Sequence, residues 1–209
     1  MENDRICVIF AGGPEEGQPY LPVPQQAYVI CADSGLRLAQ RLGIAPDLVL
    51  GDFDSLGAVP ADLPHMTVPV EKDDTDTVLA ARVAMEKGYR NIRIYGAFGG
   101  RLDHTLANIQ TLEFLYQAGA HGELIGTHDT ACLIGSGETT RFSYQPKQSL
   151  SLFSWTERCT GVCVRGVHYP LEQAVLERRF PLGVSNEITA PEAEIVCGNG
   201  ILLAVRSAL

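Results

Sequence analysis

Two aspartates one residue apart, Asp52 and Asp54 in Gly51-Asp52-Phe53-Asp54-Ser55, are the clearest candidates for chemistry in this sequence. On an extended segment, side chains at i and i+2 project to the same side. Two carboxylates held that close repel each other unless a cation lies between them. Magnesium takes hard oxygen ligands and usually keeps several waters beside one or two carboxylates and substrate phosphates. An isolated Asp-x-Asp is also the composition of a solvated surface turn, so the pair needs company to mean a site. Lys72-Asp73-Asp74-Thr75-Asp76 supplies it, with three more carboxylates where a strand meets a helix. An N-cap accounts for one acid there and the helix dipole for a second. The third is left for another task. Asp76, brought beside Asp52 and Asp54, would complete a metal site, and Lys72 offers phosphate a point charge.

The third element is Gly99-Gly100-Arg101-Leu102-Asp103-His104. Its glycines let backbone approach a ligand closely. Free N–H groups at the start of the following helix suit an anion, and Arg101 can grip a phosphate through two nitrogens. Asp103 reads equally as a helix cap or as a catalytic carboxylate. His104 is either an acid–base group or a structural histidine. No Gly-x-x-x-x-Gly-Lys-Ser/Thr and no full Gly-x-Gly-x-x-Gly is present. Acids and metal must therefore do much of the holding if phosphates bind.

The elements that carry these loops read as strand, loop, helix, repeated. Strand-like runs at residues 5–10, 27–31, 48–50, 67–70 and 92–95 alternate with helical spacing at 36–42, 75–87 and 103–118. This predicts an α/β fold, with a mostly parallel N-terminal sheet covered by helices on both faces. In such a sheet ligands bind beyond the carboxyl ends of the strands. Gly12-Gly13, Asp33-Ser34-Gly35 and the three loops above each follow a strand, so all five converge on one crevice.

Beyond residue 120 the character changes. Short apolar runs at 123–125, 131–134, 149–153, 161–164, 194–196 and 201–205 are separated by turn signals, with 171–178 the one helical candidate. That pattern predicts a smaller C-terminal all-β, sandwich-like domain. The expected division is residues 1–136 and 137–209.

Bulk composition narrows the classes. The chain has 209 residues, 45% hydrophobic, with a formal net charge of −9. So acidic a chain lacks the basic face that nucleic acid requires. No apolar run nears the roughly 20 residues of a spanning helix, and no apolar segment follows a basic start, so no membrane partner and no export are expected. None of the six cysteines forms a Cys-x-x-Cys, and no histidine stands at zinc-like spacing from Cys159 and Cys163. Reduced buried thiols in a cytoplasmic protein are the expectation.

The combination resembles the thiamine pyrophosphokinase family across most of the chain. The likeness runs through Asp33-Ser34-Gly35, Pro46-Asp47 with residues 51–55, residues 71–76, residues 99–104 with Asn108, and Gly183-Val184-Ser185-Asn186-Glu187. It implies a transferase that moves the β,γ-diphosphate of ATP to the thiamine hydroxyl, a kinase step of thiamine diphosphate biosynthesis that leaves AMP. It implies Mg2+ on Asp52, Asp54 and Asp76, and ATP held by Asp33, Ser34, Lys72, Asp73 and Arg101. Arg101 and Asp103 match the family's glycine-rich motif as catalytic residues. Ser185 and Asn186 match the segment that meets the thiamine pyrimidine. A homodimer with active sites between subunits is also implied. Two rivals remain: a metal-dependent phosphohydrolase or nucleotidyltransferase, which releases phosphate with no thiamine-dependent product, and a binding module that forms no AMP.

Overall fold

Aliphatic runs buried on both sides form the strands of the first half, the pattern expected when helices cover each face of a sheet. The computed structural model describes residues 5–13, 17, 19, 21–51, 63–67 and 74–209. Within them the chain divides into two compact units, Met1–Thr127 and His128–Leu209. The division falls after Thr127, ahead of the boundary expected at residue 136.

In the first unit β1 (Ile6–Phe10), β2 (Tyr28–Ala32), β3 (Leu48–Gly51), β4 (His65–Thr67), β5 (Asn91–Tyr95) and β6 (His121–Ile125) lie in the order β6-β5-β1-β2-β3-β4. Every neighbouring pair in that run is parallel. Strand alternation splits the apolar residues between two faces. Val8, Phe10, Val29, Cys31, Val49 and Tyr95 pack with Leu36, Leu38 and Ala39 of α1 (Gly35–Arg41). On the opposite face Gly122 lies under α3 (Leu102–Gln117), where an added Cβ would stand 2.8 Å from both Leu112 and Leu115. Helix α2 (Asp76–Glu86) packs beside α3. Helices thus cover both faces, as the sequence predicts. Cys7 and Cys31 sit in this core as small hydrophobes, their thiols pushed up to about 12 by burial. The path runs from β1 outward through β2, β3 and β4, then returns to β5 on the other side of β1. That reversal makes the β1–β5 edge the switch point where such sheets bind ligands.

The second unit is a pair of antiparallel sheets. One orders β12 (Gly183–Glu187), β9 (Gln148–Ser154), β14 (Leu202–Ala208) and β7 (Asp129–Ile134). The other orders β11 (Leu171–Glu177), β10 (Arg158–Arg165), β13 (Glu192–Val196) and β8 (Thr139–Ser143). Ile134, Leu150, Leu152 and Leu202 of the first meet Phe142, Val164, Leu176 and Ile195 of the second in one core. This is the expected sandwich. The helical reading of residues 171–178 is corrected: Leu171–Glu177 is strand β11, paired along β10 with Leu176 buried in the core. Local helix propensity yields there to cross-strand pairing. Among the described residues no helix is long and apolar enough to cross a membrane.

Candidate active site

The strand ends of the first unit nest backbone to backbone. Ala11 N–H donates to the Tyr95 carbonyl at 2.8 Å and Gly13 N–H to the Gly96 carbonyl at 3.0 Å, tying the loops after β1 and β5 together. Glycine is required where α1 starts: a Cβ on Gly35 would overlap the Phe10 carbonyl oxygen. At Gly12 a Cβ would overlap Ser34 Oγ, so a side chain there would force that hydroxyl to turn away. Asp33 takes a left-handed φ of 46° and is fixed by its N–H donating to the Leu50 carbonyl at 2.7 Å. Aspartate tolerates that region better than most residues. These loops enclose a cleft of about 520 Å³ whose walls include Gly12, Asp33, Ser34, Asp76, Arg101 and Asn108.

Helix α2 begins at the cleft wall. Thr75 caps it, its side chain accepting from Val78 N–H at 3.3 Å, and Asp76 follows in the first turn. Thr77, nearly buried, also lines the cleft and has no distinctive sequence signal. Asp74 also lines the cleft but is paired there: Arg82 Nε donates to its Oδ2 at 2.7 Å, with the guanidinium over the Phe114 ring at 4.7 Å. Of the acids in this loop that the structure describes, Asp74 is therefore neutralised by Arg82, and Asp76 stands at the positive end of the helix.

Helix α3 begins beside it. Arg101 is its N-cap residue, and its guanidinium grips Asp103 at 3.1 Å through Nε and 2.5 Å through Nη2. Asp103 Oδ1 also accepts from His104 N–H at 3.0 Å. The Arg101 hydrogen bonds hold the Asp103 carboxyl below the usual carboxylate range, and Asp103 raises Arg101 in turn. Arg101 lines the cleft, and Asp103 is its counter-ion. One turn on, Asn108 is buried at 8% exposure and donates through Nδ2 to the Ala97 carbonyl at 2.8 Å, fastening the β5 loop to α3.

Asp33, Ser34, Asp76 and Arg101 thus share one cleft, with His104 on the same wall. Asp52, Asp54, Lys72 and Asp73 lie outside the described residues. Among the described residues no three His, Cys, Asp or Glu are grouped to hold a metal ion. The described donors nevertheless suit magnesium: Asp33, Asp76 and Thr77 on the cleft wall are hard oxygen groups, and no cysteine lines it. Asp47, part of the family-like Pro46-Asp47, accepts from Val29 N–H at 2.8 Å through Oδ2 and so fixes the start of β2.

Ser185 and Asn186 belong to the second unit. The β12–β9 pairing steps from Gly183 opposite Leu152 to Asn186 opposite Leu150, a bulge with Ser185 at φ 59°. Ser151 Oγ accepts from Ser185 N–H at 3.1 Å. Asn186 turns its amide onto the backbone of Tyr169, a residue that nothing in the sequence singles out.

Comparison with known proteins follows the same division. The family profile described as thiamin pyrophosphokinase, catalytic domain, matches residues 23–121. The profile described as thiamin pyrophosphokinase, vitamin B1 binding domain, matches residues 139–202. The chain is 30% identical over 207 residues to the thiamine pyrophosphokinase of Bacillus subtilis (strain 168), covering 95% of this chain and 97% of that protein. The crystal structure of thiamine pyrophosphokinase from Bacillus subtilis superposes with a TM-score of 0.87 at 28% identity, covering 98% and 99% of the two chains. That from Geobacillus thermodenitrificans superposes at 0.82 and 28% identity, covering 98% of each. The yeast enzyme, at 14% identity, a TM-score of 0.69 and coverage of 98% and 86%, shares the fold.

Proposed function

This chain belongs to the thiamine pyrophosphokinase family, and we propose that it performs the family's reaction in the cleft at the carboxyl ends of β1, β2 and β5. It is a thiamine diphosphokinase: the β,γ-diphosphate of ATP passes to the thiamine hydroxyl, giving thiamine diphosphate and AMP. The observation that carries the location is the meeting of opposites on one wall. The N-termini of α2 and α3 and the Arg101 guanidinium attract phosphate, while Asp33 and Asp76 repel it. The two sets are compatible when a hard cation lies between acid and phosphate.

In this reading Asp52, Asp54 and Asp76 hold Mg2+, which when bound supplies charge neutralisation at the phosphate oxygens. Asp33 and Ser34 border the nucleotide. Arg101, with Lys72, draws charge from the transferred group, which is positioning and electrostatic work rather than covalent catalysis. Asp103 or Asp73 attends the thiamine hydroxyl. With its carboxyl lowered by Arg101, Asp103 is a weak proton acceptor, suited to orienting the hydroxyl and the guanidinium. Ser185 and Asn186 serve the thiamine side, supported by the vitamin B1 binding profile over residues 139–202. The enzyme is read as a homodimer with active sites between subunits. Six free thiols support a reducing, cytoplasmic setting, and the net charge of −9 argues against a nucleic-acid partner.

The test is product identity. With thiamine, ATP and magnesium, AMP and thiamine diphosphate should appear in equal amounts. ADP would mean transfer of a single phosphoryl group, and thiamine-independent phosphate release would mean a hydrolase.

A further inference from the structure

Three threonines are buried among the described residues, and two of them have partners. Thr111 donates from Oγ1 to the Ala107 carbonyl at 2.9 Å, and Thr130 Oγ1 accepts from Arg206 Nε at 3.1 Å. The third, Thr77, is 8% exposed, and its hydroxyl makes no hydrogen bond among the described residues. A buried hydroxyl left without a partner costs stability, and valine would fill the same space without that cost. The oxygen is not sealed from solvent, so it opens on the cleft that Thr77 lines. Asn108, the other buried polar side chain on that cleft, is accounted for by the Ala97 carbonyl. Thr77 also stands in the first turn of α2, directly after Asp76. There backbone N–H groups lack partners within the helix and the dipole favours an anion.

A phosphate oxygen answers both features: it is drawn to the helix start and accepts from the hydroxyl. ATP offers three phosphates, and they differ in what lies beyond them. The α-phosphate continues into adenosine. The β-phosphate must present its phosphorus to the thiamine hydroxyl, with AMP leaving on the opposite side. Only the γ-phosphate carries nothing on its far side, so only it can end against a side chain as enclosed as Thr77. We infer that Thr77 is a binding residue whose hydroxyl seats the terminal phosphate of ATP and so leaves the β-phosphorus facing the acceptor. The inference rests on the reading that this cleft binds ATP. In the transfer the thiamine oxygen bonds to the β-phosphorus, the bond from that phosphorus to the AMP oxygen breaks, and the hydroxyl proton is released. The seated phosphate then becomes the end of thiamine diphosphate, so one hydroxyl holds substrate and product alike.

The experiment compares the full-length enzyme with Thr77→Val, Thr77→Ser and Arg101→Ala. It measures the affinity of each for ATP and for AMP by calorimetry with magnesium present, and the thermal unfolding midpoint without nucleotide. Thr77→Val should weaken ATP roughly tenfold, the loss of one hydrogen bond to a charged group. AMP, which has no terminal phosphate beyond its own, should bind Thr77→Val as it binds the parent. Thr77→Ser keeps the hydroxyl and should recover most of the ATP affinity. The unfolding midpoint of Thr77→Val should equal or exceed that of the parent, because a hydroxyl with no partner in the protein has been removed. A hydroxyl that served the fold would instead lower that midpoint and leave ATP affinity alone, which would overturn the inference. Equal weakening of ATP and AMP would place the hydroxyl against the nucleotide's other end and overturn it too. If Arg101→Ala weakens ATP while Thr77→Val does not, the role of Thr77 is overturned and the cleft remains the ATP site. If neither variant changes ATP affinity, the reading of the cleft fails as well.

Discussion

Arg101 and Asp103 occupy each other at the rim of the cleft, and any phosphate must compete with Asp103 for the guanidinium. The pair has a definite pH signature. Because the Asp103 carboxyl is lowered by Arg101, the pair is complete above the ordinary carboxylate range. It is lost only as pH falls through the lowered value. A carboxyl-detected NMR titration should place Asp103 below an ordinary aspartate, and Arg101→Ala should return it to the ordinary range. An unshifted Asp103 in the parent protein would dissolve the pair. At this scale the sequence showed residue types but not pairings. Asp74 and Arg82 stand eight positions apart and Asn186 and Tyr169 seventeen. Neither spacing marks a contact until a helix turn or a bulge brings the partners together. Hence three acids in the loop at 73–76 looked alike in sequence, and only the structure assigns Asp74 to Arg82.

At the scale of elements, the strand-end loops were legible because hydrophobic alternation and glycine stops report the βα repeat directly. Strand β11 was not. Leu171–Glu177 has a helix-compatible composition, and what makes it a strand is its pairing with β10. Strand β12 was hidden for a related reason: Gly183, Ser185 and Asn186 are poor strand formers, tolerated in a bulged edge. The outer face of the second sheet carries its own ionic ladder. Arg141 reaches Glu194 at 2.6 Å, Arg165 reaches Glu194 at 3.0 Å, and Arg165 reaches Glu172 at 3.3 Å, crossing β8, β13, β10 and β11. Such charges keep that face in water while Val164 and Ile195 turn inward. The entry of α2 is the element most closely tied to function. Thr75→Ala removes its cap and should cost about 1 kcal/mol of stability, read by denaturant unfolding. It should also reduce turnover, since the cap fixes the turn that carries Asp76. An unchanged midpoint would mean that the cap bond is not formed.

For the whole molecule, the two-part plan was readable from the shift in hydrophobic period near residue 120. The division after Thr127 was not, because β7 is an apolar run like those before it, and what assigns it to the second unit is its pairing with β14 and the packing of Ile134 in the sandwich core. The proposed dimer has a functional consequence that one experiment reads. If active sites lie between subunits, two impaired variants damaged on different units, Arg101→Ala and Asn186→Ala, should regain activity when their subunits are mixed. A site built within one chain would regain none. The central claim remains the acidic, phosphate-binding cleft at the strand ends, and it separates two neighbouring carboxylates. Thiamine-dependent AMP formation by Asp76→Asn should fall roughly a hundredfold or more, with folding intact, while Asp74→Asn, whose carboxylate is taken by Arg82, should keep much more of it. An Asp76→Asn enzyme that turns over at the parent rate would contradict the assignment of this cleft to the transfer.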